Sequence, residues 1–188
     1  ESTGSRMKYA VICFTERGAW VCRRLFHKLR EAGGECEAVV PGRFLREEWK
    51  KEGMKEPGGE PLSQWTGRMF AEKRGMIFVS AAGIAVRAIA PWVRDKMTDP
   101  PVVSVDEGAQ FVIPLLSGHV GGANGLARRI AEWLRSTPVI TTATDVNGKF
   151  AVDQWAREQG FFLDGKEAAK CISAALLSGK PVGLKSDF

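Results

Sequence analysis

The 188-residue sequence has no stretch approaching the roughly 20 consecutive apolar residues that a membrane helix requires. Its first residues, Glu1-Ser-Thr-Gly-Ser-Arg6, lack the apolar core of a secretory signal and read as an expression scar ahead of Met7. Histidine is scarce, with only His27 and His119, and the cysteines Cys13, Cys22, Cys36 and Cys171 stand far apart without a Cys-x-x-Cys pair. A dedicated zinc or iron centre of His and Cys ligands is therefore not expected. The cysteines read as buried thiols of a reducing compartment, which implies a cytoplasmic location. A Walker A loop and a Gly-x-Gly-x-x-Gly fingerprint are both missing. Internal repeats, low-complexity tracts, a basic arm and an aromatic RNA-binding motif are missing too, so neither nucleic acid nor membrane is expected as a partner.

What is present is the balance of a globular protein, 44% hydrophobic and 26% charged, long enough for one domain or two small ones. The formal net charge is +5. Its Lys and Arg residues are interspersed with acids along helical faces, which fits a solvated surface or a protein that handles small polyanions.

Short β-branched or apolar runs alternate with amphipathic stretches. Lys8 to Thr15 predicts a strand, Ala19 to Arg30 a helix with Trp20, Leu25 and Leu29 inward, and Cys36 to Val40 a second strand. The Gly- and Pro-rich stretch from Lys50 to Pro61 predicts a surface loop. Then come a helix over Leu62 to Lys73, a strand over Gly75 to Ser80 covered on both faces, and a helix over Ile84 to Val93 disturbed by Pro91. Val102 to Val105 and Gln110 to Leu116 predict strands joined at Asp106-Glu107-Gly108, a hairpin or two neighbouring strands, with an antiparallel connection between Val105 and Phe111 allowed. The next helix carries Ala123, Leu126, Ala127, Ile130 and Leu134 inward, with Arg128, Arg129, Glu132 and Arg135 outward. Strands over Val139 to Thr142 and Pro181 to Lys185, and helices over Ala151 to Gln159 and Lys166 to Leu177, complete the pattern. The alternation predicts an α/β fold: a mostly parallel sheet with helices on both faces, a Rossmann-like three-layer sandwich. A boundary near 147 would separate a main domain over 7–147 from a second small α/β unit over 148–188. Phe188 follows directly on a strand, so a truncated chain is expected.

Chemistry is expected beyond the carboxyl ends of strands, where loops lead into helix N-termini. The segments Ser80 to Gly83, Ser117 to Asn124 and Thr141 to Asp145 hold such positions and are expected to converge. Gly118, Gly121 and Gly122 let the backbone approach a ligand, while Ser117, His119 and Asn124 offer a hydroxyl, an imidazole and an amide. The competing reading is a tight strand-to-helix turn capped by Ser117 or Asn124. His119, between glycines at a helix start, suits proton transfer near neutral pH. Thr144 and Asp145 lie beyond the apolar run, available to polar substrate groups. Arg87, early in a helix otherwise lined by Ile84, Val86 and Ile89, could pair with a substrate carboxylate or with a neighbouring acid. Asp106 and Glu107 are expected to form a solvated turn; Asp95, Lys96 and Asp99 are expected as surface or loop charges.

Taken together, Phe78-Val-Ser-Ala-Ala-Gly-Ile-Ala-Val-Arg87, Asp95-Lys96 with Asp99-Pro100, Val105-Asp106-Glu107, Leu115-Leu-Ser-Gly-His-Val-Gly-Gly-Ala-Asn124 and Val139-Ile-Thr-Thr-Ala-Thr-Asp145 resemble the cobalt-precorrin-5A hydrolases of anaerobic cobalamin synthesis. The resemblance is strongest from Phe78 to Asp153, less specific from Gly183 to Phe188 and weak before Phe78. It implies opening of a δ-lactone on an anionic cobalt-containing tetrapyrrole, with release of acetaldehyde. Cobalt would belong to the substrate, and no resident cofactor or metal is expected. On that basis His119 or Asp145 is the expected general base. Arg87, Ser117, Gly118, Gly121, Gly122, Asn124, Thr142 and Thr144 are the expected substrate-binding residues. Partners could include a second copy or, transiently, other enzymes of the pathway. The resemblance also implies a further C-terminal domain. The alternatives are a non-catalytic tetrapyrrole-binding module and a nucleotide-binding α/β domain.

Overall fold

A computed structural model describes residues 6–183 and Lys185, the side chains of Arg157 and Lys166 excepted. The chain divides after Val139 into two compact units, ahead of the position near 147 read from the sequence.

In the first unit, strand β1 (Lys8–Cys13) runs into helix α1 (Glu16–Glu31), whose start is fixed by the Thr15 hydroxyl accepting from the Gly18 amide at 3.0 Å. Strand β2 (Glu35–Val39) lies parallel to β1. Helices α2 (Glu47–Glu52) and α3 (Leu62–Ala71) lead back across β1 to strand β3 (Gly75–Val79), which is buried along its whole length. Helix α4 (Ala82–Ile89) connects to β4 (Val102–Val105), and a tight turn reverses the chain into β5 (Phe111–Leu116). Helix α5 (Ala123–Leu134) and the two-residue β6 (Thr137–Pro138) close the unit. The sheet order is β2-β1-β3-β4-β5-β6, parallel except between β4 and β5.

Side-chain alternation along the strands separates two cores. Ala10, Ile12, Met76 and Phe78 pack with Trp65, Met69 and Phe70 of α3 and Ala85, Ala88 and Ile89 of α4. On the other face α1 covers β1, β2 and β3 while α5 covers β4, β5 and β6, and the Arg24 guanidinium joins the two helices by donating to the Trp133 carbonyl at 3.0 Å. The three-layer α/β arrangement expected from the sequence is thus present.

Several local expectations give way. Trp20 is 44% exposed because the buried stripe of α1 runs through Val21, Cys22, Leu25, Phe26 and Leu29, and position 20 falls beside it. Ile84 and Val86 of α4 are exposed, leaving Ala85, Ala88 and Ile89 as the packed face. The expected loop from Lys50 starts inside α2, and Met54 is buried; Lys55 pairs with the β2 edge, accepting from the Val40 amide at 2.9 Å and donating to the Ala38 carbonyl at 3.0 Å. The last strand of the unit sits at Thr137–Pro138 rather than over Val139 to Thr142, held where Thr137 and Val139 donate to the Gln110 and Val112 carbonyls.

The second unit consists of α6 (Ala143–Val146), α7 (Val152–Glu158) and α8 (Lys166–Leu177). No strand occurs among its described residues, so the small α/β unit expected here is helical as far as it is described. The strand expected over Pro181 to Lys185 falls partly outside the described residues; Pro181, Val182 and Gly183 adopt no regular element, and of the first six residues only Arg6 is described. Among the described residues no helix is long and apolar enough to cross a membrane.

Candidate functional site

Strand direction decides which candidate segments meet. β1, β3 and β4 are parallel, so the Ser80 to Gly83 segment after β3 lies at their carboxyl edge, where the Ser80 amide donates to the Val105 carbonyl at 2.9 Å. β5 runs the other way, with Val102 opposite Leu116, so Ser117 emerges at the amino edge of β4. The Ser80 and Ser117 segments therefore sit at opposite edges of the sheet, and their expected convergence does not occur. The cause is the short 106–110 connection, which cannot span a parallel crossover. Asp106 builds that turn by accepting from the amides of Gly108, Gln110 and Phe111 at 3.0, 2.8 and 2.6 Å, the structural role expected of it.

The Ser117 to Asn124 loop is anchored from below. Ser117 adopts φ 58° and is buried, and its hydroxyl donates to the Asp99 carbonyl at 3.0 Å. Asp99, expected as a surface charge, is 7% exposed, and its carboxylate accepts from the Arg94 amide at 2.8 Å, fixing the segment after α4. An Asp before two prolines gives no sequence signal of that burial. Gly122 turns the chain into α5 with φ 84°, and no side chain caps the helix, so neither Ser117 nor Asn124 fills the capping role considered above. Backbone carbonyls do so instead: the Ala123 amide donates to Ser117 and the Asn124 amide to Gly118, both at 3.0 Å. These helix amides are committed to the loop, and anion binding would fall to amides earlier in it.

His119 is half-buried at the crest of this loop, and its carbonyl accepts from the Gly122 amide at 3.0 Å. Gly118 and Gly121 flank it at half-buried positions, whereas the Asn124 side chain is buried in the first turn of α5. Arg87 is exposed in the last turn of α4. Because α4 returns from the carboxyl edge of β3 toward the amino edge of β4, it carries Arg87 toward the edge where Ser117 emerges. The structure thus brings the glycine loop, Asp99 and the Arg87 end of α4 to one edge.

Thr142, Thr144 and Asp145 belong to the second unit. Thr142 precedes α6, and its hydroxyl donates to the Asp145 carboxylate at 2.6 Å, while Thr144 is buried. Thr144 and Asp145 line a cleft of about 330 Å³ together with Lys149, Gln154, Trp155 and Glu158. Lys149, Gln154 and Trp155 were not singled out from the sequence. Their signal was limited to an apolar and polar mixture around a short helix.

Of the four thiols expected to be buried, Cys13 and Cys22 are buried and Cys36 is half-buried, whereas Cys171 is exposed. Hydrogen bonding to Cys13 and burial push Cys22 up, and burial pushes Cys36 up to about 12, so both remain protonated at neutral pH. Among the described residues no group of three or more His, Cys, Asp or Glu side chains could hold a metal ion.

Residues 64–145 match the family model described as Cobalamin synthesis G N-terminal. The cobalt-precorrin-5A hydrolase of Salmonella typhimurium is 40% identical over 177 residues, 93% of this chain and 47% of its own length. That of Priestia megaterium is 31% identical over 179 residues, 95% of this chain and 46% of its own. A solved cobalamin biosynthesis protein G homolog of Sulfolobus solfataricus superposes with a TM-score of 0.51 at 23% identity, over 96% of this chain and 51% of its own; that likeness shows the fold. The chain spans about half the length of the curated relatives it matches.

Proposed function

We propose that the chain, whose residues 64–145 match the cobalamin synthesis G N-terminal family, serves the opening of the cobalt-precorrin-5A δ-lactone and the release of acetaldehyde. The observation that carries this reading is the built loop from Ser117 to Asn124, in which a positive-φ serine, a buried anchor and glycines hold a half-buried histidine at a sheet edge.

In this reading His119 takes a proton from water as its oxygen adds to the lactone carbonyl. The acyl C–O bond breaks, the carboxylate forms, and the departing alkoxide receives a proton. Loop amides ahead of Gly122 stabilise the tetrahedral oxyanion, since the Gly122, Ala123 and Asn124 amides are already committed. A base then removes the proton of the freed hydroxyethyl alcohol. Its C–C bond to the macrocycle breaks, acetaldehyde leaves, and the electron pair passes into the conjugated ring, which is protonated. One water enters and one acetaldehyde leaves. Cobalt arrives with the substrate, and the protein needs no cofactor of its own.

Asp145 is the second candidate base, its carboxylate oriented by the Thr142 hydroxyl. That bond commits Thr142 to Asp145 rather than to a substrate carboxylate. Thr144 stays a substrate-binding candidate in the Asp145 cleft, and Arg87, exposed and always cationic, is suited to a peripheral acetate or propionate group. A net charge of +5 favours capture of a polyanionic tetrapyrrole.

The test is acetaldehyde release from cobalt-precorrin-5A by this chain and by the chain extended with the remaining portion of a relative. Release by either supports the reading. A second reading is a tetrapyrrole-binding module without turnover; substrate binding with no acetaldehyde from either form would select it.

A further inference from the structure

The stretch from Arg94 to Asp99, between α4 and β4, belongs to no helix or strand and is nevertheless held at several points. The Asp95 carboxylate accepts from the Met97 amide at 2.9 Å, and the Asp95 carbonyl accepts from the Thr98 and Asp99 amides at 3.0 and 2.8 Å. The buried Asp99 carboxylate accepts from the Arg94 amide at 2.8 Å, which closes the stretch on itself, and Lys73 Nζ donates to the Thr98 carbonyl at 2.8 Å. The Asp99 carbonyl accepts the Ser117 hydroxyl at 3.0 Å, so this backbone is fastened directly to the turn that carries His119.

Arg94 and Lys96 are exposed on that fixed backbone, and Val93 beside them is exposed as well. Arginines elsewhere in the unit are engaged by acids, Arg23 by Glu52, Arg68 by Glu60 and Arg74 by Glu35. Among the described residues no acid forms an ion pair with Arg94 or Lys96. Ordering a flexible loop on binding costs free energy, and a stretch already held in place avoids that cost. We infer that Arg94 and Lys96 form a carboxylate-binding arm of the His119 site, which grips an acetate or propionate side chain of the tetrapyrrole while Val93 meets the rim of the macrocycle. The inference rests on the tetrapyrrole reading above. Arg94 supplies a planar fork for both oxygens of the carboxylate, and Lys96 supplies a second positive centre. Asp95-Lys96 and Asp99-Pro100 then divide the work: the aspartates fasten the backbone, and the lysine meets the substrate.

Binding of uroporphyrin III, a tetrapyrrole that carries only acetate and propionate side chains, tests the arm without requiring turnover. Arg94→Gln and Lys96→Gln should each raise its Kd about tenfold, the effect of losing one charge-assisted hydrogen bond, at an unchanged melting temperature. Lys96→Arg, which keeps the charge, should stay within about threefold of the unaltered chain, and so should Lys51→Gln, an equal loss of charge on the exposed side of α2. In acetaldehyde release from cobalt-precorrin-5A the loss in Arg94→Gln and Lys96→Gln should fall on KM rather than on kcat. Uroporphyrin binding that is absent from the unaltered chain, equal in all variants, or weakened as much by Lys51→Gln overturns the inference. Binding that discriminates the variants as expected, without acetaldehyde release, keeps the arm and rejects lactone opening. Acetaldehyde release with KM unaltered in both variants keeps lactone opening and rejects the arm.

Discussion

A Cβ atom built on Gly121 would stand 2.3 Å from the Ser117 Cβ and 2.8 Å from the Ser117 carbonyl oxygen. Residues at the two ends of the loop crest are therefore in contact, and the backbone at 121 has no room for a side chain. The Ser117 carbonyl cannot retreat easily, because it accepts the Ala123 amide that starts α5.

Gly121→Ala should accordingly destabilise the fold by about 1–3 kcal/mol, the range for forcing extra atoms into a packed site. Ser117 allows the two contributions at its own position to be separated. Ser117→Ala loses the hydrogen bond to Asp99, about 1 kcal/mol, and keeps the unfavourable φ. Ser117→Gly loses the same bond but relieves the φ, so it should melt higher than Ser117→Ala. Urea midpoints measure all three, and equal stability of the two Ser117 variants would show that the backbone is unstrained there.

His119→Ala should lower kcat for acetaldehyde release by about 10²–10⁴ with an unchanged melting temperature, since the ring sits half-buried on the loop outside both cores. Asp145→Asn is the companion measurement. A rate loss confined to Asp145→Asn would transfer the base to the second unit and leave His119 with a binding role.

Glu52 ties α2 to α1, accepting from Arg23 at 2.6 and 2.9 Å and meeting His27 Nε2 at 3.0 Å. The Arg23 hydrogen bonds, followed by that of His27, draw its carboxyl from 4.5 down to about 2. A lowered carboxyl pKa stabilises the fold fully above the ordinary value and loses that contribution as pH falls through 4.5 toward 2. Melting temperatures of the protein and of Glu52→Gln should therefore differ above pH 4.5 and converge near pH 2. A difference that stays constant down to pH 2 would show that the pairing does not stabilise the fold.

Trp20 and Trp49 meet edge to face at 4.9 Å, with Arg46 over both rings, but their burial differs, 44% against 2% exposed. Trp49→Ala should cost about 3–5 kcal/mol and Trp20→Ala about 1 kcal/mol or less, read from denaturant midpoints. Comparable losses would mean that the surface stack, rather than burial, holds α2 in place.

Much of the architecture was legible because it depends on local pattern. The continuous apolar run of β3 requires cover on both faces, and the spacing of Leu126, Ala127, Ile130 and Leu134 defines the buried side of α5 without reference to any neighbour. The same reasoning failed at Trp20, where an aromatic residue suggested the core but the stripe through Cys22, Leu25, Phe26 and Leu29 excludes it. It failed at Asp99 because burial of a loop carboxylate depends on the backbone amide that folds over it, in this case that of Arg94.

By itself the sequence determined the alternation of strands and helices, the unusual glycine segment from Ser117 to Asn124, and the resemblance that its companion motifs carry to the family whose model matches residues 64–145. Only the tertiary structure decided that β5 is antiparallel, and with it that the Ser80 and Ser117 loops occupy opposite edges of the sheet. Residue pattern specifies which faces of a strand are buried, and the two directions of a strand bury the same faces. Direction is fixed by the length of the connection and by the hydrogen-bond register with the neighbouring strand, which are properties of the assembled sheet.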